Sequence, residues 1–319
     1  MDVRLRPFRE EDYPRLVEIR NLVMPDYRGS VEEIRHWDNN WEHDKYFKQR
    51  LMAEVETGPV VGVAQLNHMP QQFHPDKYAL DIAVDPAYQR RGIGSTLYER
   101  LSEELRRRGA MLVRADAKES MPDSMAFLEH RGFREVQRAW ESRLDVASVD
   151  AGPFAGAEER AAGQGIIVTT LAEERARDPE ALRKSYELDR DVSRDIPATD
   201  PVTDTSYEHF EKDIIEAPNI LPDGWFIAKD GDRYVGVSNL WKSQELPDVV
   251  YQGLTGLRRE YRGKGIAMAL KLHGVRYARA HGYREIRTWN NTRNQPMLRI
   301  NEAMGFVKQP VWIEFEKTL

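Results

Sequence analysis

The 319-residue sequence contains no cysteine. Disulfides, thiolate metal sites and a cysteine nucleophile are therefore excluded, and the redox compartment is left open. No run of apolar residues approaches the length of a bilayer-crossing helix, and the start of the chain, Met1-Asp2-Val3-Arg4-Leu5-Arg6-Pro7, carries no long apolar stretch. A cytoplasmic protein without a membrane partner is the expectation. Charge of one sign is also lacking: the formal net charge is -6, which gives no sign of nucleic-acid affinity. The eight histidines show no metal-ligand spacing, so no metal is expected. Asn290-Asn291-Thr292 fits a glycosylation sequon, but without a secretory signal it reads as chance.

What is present is a soluble composition, 40% hydrophobic and 31% charged, in a chain long enough for two ordinary domains. A short basic, glycine-containing loop occurs twice, as Gln89-Arg90-Arg91-Gly92-Ile93-Gly94 and as Arg262-Gly263-Lys264-Gly265-Ile266-Ala267. Gln89 and Arg262, Gly109 and Gly282, and Gly132 and Gly305 are each 173 positions apart. Three anchors in one register indicate a duplication. Upstream the copies differ: Val3 to Gln89 spans 86 positions and Ile166 to Arg262 spans 96, so the second copy carries about ten extra residues, expected in loops or helices over the ligand.

Around each loop the pattern repeats. A short strand (Val3 to Arg6, Ile166 to Thr169) precedes a helical stretch (Glu11 to Leu22, Pro179 to Asp191). Two strands follow, Lys48 to Glu54 and Val60 to Leu66 in the first copy, Trp225 to Lys229 and Tyr234 to Trp241 in the second. A further strand (Tyr78 to Val84, Val249 to Leu257) leads into the loop. Ile93, Leu97, Leu101 and Leu105 then recur every fourth residue as the stripe of an amphipathic helix ending at Gly109, and a matching helix runs from about Lys264 to Gly282. A strand and a second helix ending in Gly-Phe complete each copy. The small-residue segment between the copies marks a boundary, with domains at 1–149 and 165–319 and a linker at 150–164.

A loop between a strand and a long helix places unpaired N–H groups and the helix dipole where an anion can sit. Gly92, Gly94, Gly263 and Gly265 allow close backbone approach, and Arg90, Arg91, Arg262 and Lys264 add positive charge. The loop is neither a P-loop, since Gly263-Lys264 is followed by glycine, nor the dinucleotide fingerprint, whose glycines are spaced differently.

The Gln/Arg-x-x-Gly-x-Gly/Ala pattern, with Val84-Asp85-Pro86 before the first copy, resembles the acetyl-CoA diphosphate loop of the GNAT acyltransferase superfamily. The resemblance covers essentially the whole chain as two tandem modules. It implies a mixed α+β fold: two tandem folds, each a mostly antiparallel twisted sheet with a central parallel strand pair, flanked by helices. It implies acetyl-CoA as cofactor, with Gln89, Arg90, Arg91, Gly92, Ile93, Gly94 and Ser95, and Arg262, Gly263, Lys264, Gly265, Ile266, Ala267 and Met268, around the diphosphate. Backbone groups of Ile82, Ala83 and Val84, and by register Thr255, Gly256 and Leu257, are expected along pantetheine and the thioester oxygen. Asp81 stands where many family members carry an acid, while Leu254 stands there in the second copy. Leu128 and Asn301 replace the family's tyrosine, which can protonate the leaving thiolate. Asn290 and Asn301 are candidate catalytic or substrate-orienting residues, and Asn294 reads as a helix cap.

The expected activity is acetyl transfer to a primary amine of a small molecule by direct attack. Alternatives are a non-catalytic acyl-CoA-binding sensor or scaffold and a peptide N-terminal acetyltransferase. The expected assembly is a monomer whose two modules imitate a dimer, or a homodimer.

Overall fold

The computed structural model describes residues 3–56, 58–150, 152–154 and 156–319; Ala151 and Ala155 of the expected linker, and Met1-Asp2, lie outside them. In chain order the strands are β1 (Val3–Pro7), β2 (Lys48–Val55), β3 (Val60–Asn67), β4 (Lys77–Val84), β5 (Leu112–Lys118), β6 (Arg134–Asp145) and β7 (Ile166–Thr170). They continue as β8 (Ile220–Asp230), β9 (Arg233–Lys242), β10 (Val249–Leu257), β11 (Glu285–Asn291), β12 (Val307–Lys308) and β13 (Trp312–Thr318). The chain divides into two compact units, one of Met1–Gln137 with Trp312–Leu319, the other of Arg138–Val311.

In unit 1 the strand order is β1-β2-β3-β4-β5-β13. Neighbours are antiparallel except β4 and β5, which run parallel over Lys77–Ala79 against Leu112–Arg114 and then part. In unit 2 the order is β7-β8-β9-β10-β11-β6, with β12 also on β6. Here β10 and β11 run parallel over Val249–Tyr251 against Glu285–Arg287 before parting.

This division differs from the expected boundaries at 149 and 165. β6 leaves the first copy to pair with β11 from Glu285↔Asp145 to Asn291↔Ala139, and β13, at the end of the second copy, completes the sheet of unit 1. The reason lies in side-chain alternation. Ile313 and Phe315, both at most 2% exposed, turn one face of β13 into the core of unit 1, and Leu144 of β6 is fully buried in the core of unit 2. The expected linker is also structured. Residues Gly156–Ala162 form a helical turn that buries Ala157 and Ala161 in the core of unit 2, small residues at i and i+4 fitting close to a neighbouring helix.

The two long helices fall where the apolar stripe placed them, at Ile93–Arg107 and Ile266–Ala280. Ile93, Leu97, Leu101 and Leu105 are buried, each contributing roughly 1.5–3 kcal/mol. The extra length of the second copy is taken up by the helix Leu171–Arg177 and the coil before Tyr207. No helix among the described residues is long and apolar enough to cross a membrane.

Candidate active sites

Each loop leaves its strand through a short 3-10 turn, Pro86–Tyr88 or Arg259–Tyr261, and enters its helix through a left-handed glycine, Gly92 at φ +85 or Gly265 at φ +82. The turns are tied down alike. Gln89 Nε2 donates to the Val84 carbonyl (2.9 Å), and Arg262 Nε donates to the Leu257 carbonyl (3.0 Å). Asp85 accepts from the Ala87 N–H and pairs with Arg15 at 2.5 Å; in unit 2 the charges are exchanged, Arg258 pairing with Asp191. Arg90 has φ 59, the one positive φ outside glycine among the described residues, and its counterpart Gly263 has φ 74. A non-glycine residue held there costs stability and marks a backbone shaped for something other than folding.

The side chains of the loop divide their work. Arg90 projects into solvent with its side chain 80% exposed. Arg262 is bound by Asp195, which also holds Arg259 and whose carboxyl those guanidinium hydrogen bonds lower to about 2. Arg262 thus secures the loop, and the N–H groups opening the helix are placed where a helix N-terminus can receive an anion. Two further cations were not legible from the motif. Arg131 donates to Ser95 Oγ (2.7 Å) and lies over the Phe127 ring at 3.5 Å. Arg160, exposed on the turn Gly156–Ala162, stands with Nε 3.9 Å from where a side-chain carbon on Gly265 would lie, and Gln164 Nε2 donates to the Lys264 carbonyl (3.2 Å). Glu158 anchors that turn to the long helix through His273 (2.9 Å) and Arg276. Neither could be found by a motif search, because both lie far from the loop in sequence.

Beyond the loops, the parting strands form a gap in each unit. The Asp85 N–H donates to the Val61 carbonyl and the Arg258 N–H to the Val235 carbonyl. Alternation along the strand then turns the peptide groups of Ala83 and Gly256 toward β3 and β9, and those of Ile82 and Val84, Thr255 and Leu257, toward the gap. Of the six backbone positions expected along pantetheine, Ala83 and Gly256 therefore face the wrong edge.

In unit 1 Asp81 lies on β4 with its carboxylate paired to Arg20. A second acid was missed. Asp116 on β5 forms no ion pair among the described residues, and desolvation by the surrounding protein, then the charges of Glu314 and Asp81, raise its carboxyl to about 6. Its counterpart by register is Trp289, so the internal repeat gave no hint of it. Leu128 is buried.

Unit 2 differs. Two steps on β9, Leu240 to Ser238, face three on β10, Gln252 to Thr255, so β10 carries a one-residue bulge at Gly253 and Leu254 that β4 lacks. Gly253 is required there, since a side-chain carbon would come within 2.5 Å of Asn239 Oδ1 and 2.6 Å of Trp241 Nε1. Leu254 packs into an apolar cluster with Leu188, Val192 and Trp225. Beneath β10 runs a buried polar chain: Lys271 donates to Gln252 Oε1, Gln252 Nε2 to Ser238 Oγ (2.7 Å), and Ser238 shares a hydrogen bond with Thr255 Oγ1 (2.9 Å). Burial pushes Lys271 down to about 7. Asn290 and Asn301 come together, Asn301 Nδ2 donating to Asn290 Oδ1 at 2.6 Å, and Asn301 Oδ1 is buried without a hydrogen-bond partner. Asn294 is a helix cap, accepting from the Met297 N–H (3.4 Å). Among the described residues no group of three or more acidic and histidine side chains is arranged to hold a metal.

Two strand-loop-helix sites, each with a left-handed glycine at the helix start and a gap between parallel strands, define a tandem acyl-CoA-dependent acyltransferase. The chain belongs to the acetyltransferase (GNAT) family, whose sequence model matches residues 16–133 and again 180–306. Membership makes acyl transfer the reaction class and acetyl-CoA the cofactor. Among relatives, the mycothiol acetyltransferase of Geodermatophilus obscurus (strain ATCC 25078) is 25% identical over 243 residues, 74% of this chain and 73% of that protein. That of Corynebacterium glutamicum (strain R) is 31% identical over 88 residues, 28% of this chain and 30% of that protein. A tandem GNAT protein from the clavulanic acid biosynthesis pathway has a similar fold, with a TM-score of 0.74 and 20% identity over 99% of this chain and 98% of that one.

Proposed function

We propose that the chain transfers the acetyl group of acetyl-CoA to a primary amine of a small molecule by direct attack, with at least one unit catalytic. The observation that carries this reading is the gap between β4 and β5, and between β10 and β11, flanked by free strand edges and leading into the loop. In the proposed reaction the amine nitrogen attacks the thioester carbon and the Ile82–Val84 or Thr255–Leu257 edge stabilises the developing oxyanion. The nitrogen then loses its proton and the carbon–sulfur bond breaks. A thiolate, with an ordinary pKa near roughly 8.5, leaves without obligatory protonation.

Asp116 is the proposed proton acceptor in unit 1, ionised at neutral pH and without an ion pair among the described residues. Asp81, held by Arg20, is proposed to orient rather than accept. In unit 2 the Asn290–Asn301 pair is proposed to orient substrate from the β11 side.

A second reading, a non-catalytic acyl-CoA-binding module, is favoured by one observation: Leu128 and Asn301, both buried, offer no acid to the leaving group. Thiol release from acetyl-CoA with a panel of amines separates the two. Amine-dependent turnover that rises with pH through about 6, and loses that limb in Asp116→Asn, supports transfer with Asp116 as base. Tight binding of coenzyme A with no turnover by any amine supports the binding module, and absence of binding overturns both.

A further inference from the structure

We propose that unit 2 takes an acceptor with a cationic group in addition to the nitrogen it acetylates, an ammonium or guanidinium received by Asp189 between aromatic rings. The inference rests on the transfer reaction above and names its substrate class. The helix Ala181–Ser193 lays Ala181, Ser185, Leu188 and Val192 on the sheet. Asp191 flanks this stripe on the side that reaches Arg258, beside β9. Asp189 and Ser193 flank it on the other side. There the chain turns toward β11, the Pro197 carbonyl accepting from Asn291 Nδ2 (3.3 Å). Asp189 therefore borders the parting of β10 and β11.

Its surroundings are unusual for a carboxylate. The one hydrogen bond it receives is from the Ser193 hydroxyl at 3.5 Å, and no cationic side chain pairs with it among the described residues. Burial raises it to about 6. An enclosed charge without a partner is a standing cost, and a cationic ligand removes that cost. Two independent observations point the same way. Ser185 Oγ, one helical turn before Asp189 on a residue 3% exposed, is an acceptor without a hydrogen-bond partner among the described residues. On the same face Tyr251 and Trp289 bring their rings to 5.7 Å. A carboxylate beside aromatic faces is the chemistry that holds an organic cation.

The test compares, on the full chain with acetyl-CoA, a linear diamine and the amino alcohol of equal length. The expected result is a preference of about tenfold or more in kcat/KM for the diamine. Asp189→Asn should bring that ratio close to one through KM, with the coenzyme A dissociation constant and melting temperature retained, and Asp189→Glu should restore part of it. A fully N-methylated diamine, charged but unable to accept an acetyl group, should bind the wild-type chain in calorimetry and bind Asp189→Asn at least about tenfold more weakly. Transfer without charge preference, or a preference unchanged in Asp189→Asn, overturns the cation site while leaving the transfer reaction intact. Binding of the methylated diamine with no transfer to any amine does the reverse. If Asp189→Asn fails to fold, titration of the wild-type chain with the methylated diamine decides alone, absence of binding overturning the proposal.

Discussion

Arg90 and Gly263 occupy the same place in the two loops with the same left-handed backbone, one bearing a long side chain and one none. The glycine lets the second loop adopt this shape without strain, whereas the first keeps an exposed guanidinium there. Gly263→Ala is therefore expected to lower stability by about 1–2 kcal/mol, read as a shift in the urea midpoint, while Arg90→Gly leaves it unchanged or raises it. Lys271 makes a different residue-scale prediction. Its folded pKa of about 7 lies below the ordinary lysine value, so between pH 7 and about 10 the unfolded chain binds the extra proton and stability rises with pH. The slope approaches at most about 1.4 kcal/mol per pH unit. In Lys271→Met that rise should disappear, and a wild-type urea midpoint independent of pH over this range would refute the lowering of Lys271 by burial.

At the scale of elements, the strand-loop-helix junctions were readable because their requirements are local: a stripe every fourth residue and glycine where φ must be positive. β13 was not readable in the same way. Its alternation of Ile313 and Phe315 with Glu314 and Glu316 announces a half-buried strand, but nothing in the pattern names β5 as partner. Phe315→Ala is expected to cost about 3–5 kcal/mol and to loosen unit 1 rather than unit 2, visible as selective loss of amide protection in β4 and β5. The bulge in β10 was equally hidden, since Gly253 reads as an ordinary glycine until Asn239 and Trp241 are seen to fill the space beside it.

For the whole molecule, unit 1 is assembled from Met1–Gln137 and Trp312–Leu319, with all of the second copy before its last strand intervening in sequence. A fragment ending just before the segment 150–164 lacks β13 and carries β6 without its β11 partner. Such a fragment of residues 1–149 should be poorly soluble and gain native-like near-UV dichroism on addition of a peptide spanning 312–319. Independent folding of the fragment alone, with full stability, would contradict the exchange.

The sequence by itself determined the duplication and the two glycine-containing strand-loop-helix junctions, because each depends on residues near one another along the chain and on a left-handed backbone that glycine adopts at little cost, and the family resemblance those junctions carry pointed to the class of cofactor. Tertiary structure decided which strand completes which sheet, that Asp116 feels the charge of Asp81, and that Arg131 and Arg160 reach the loops. It also decided that Asp189 has no paired cationic side chain among the described residues. These depend on distance in space and on what surrounds a charge, and local side-chain order carries neither.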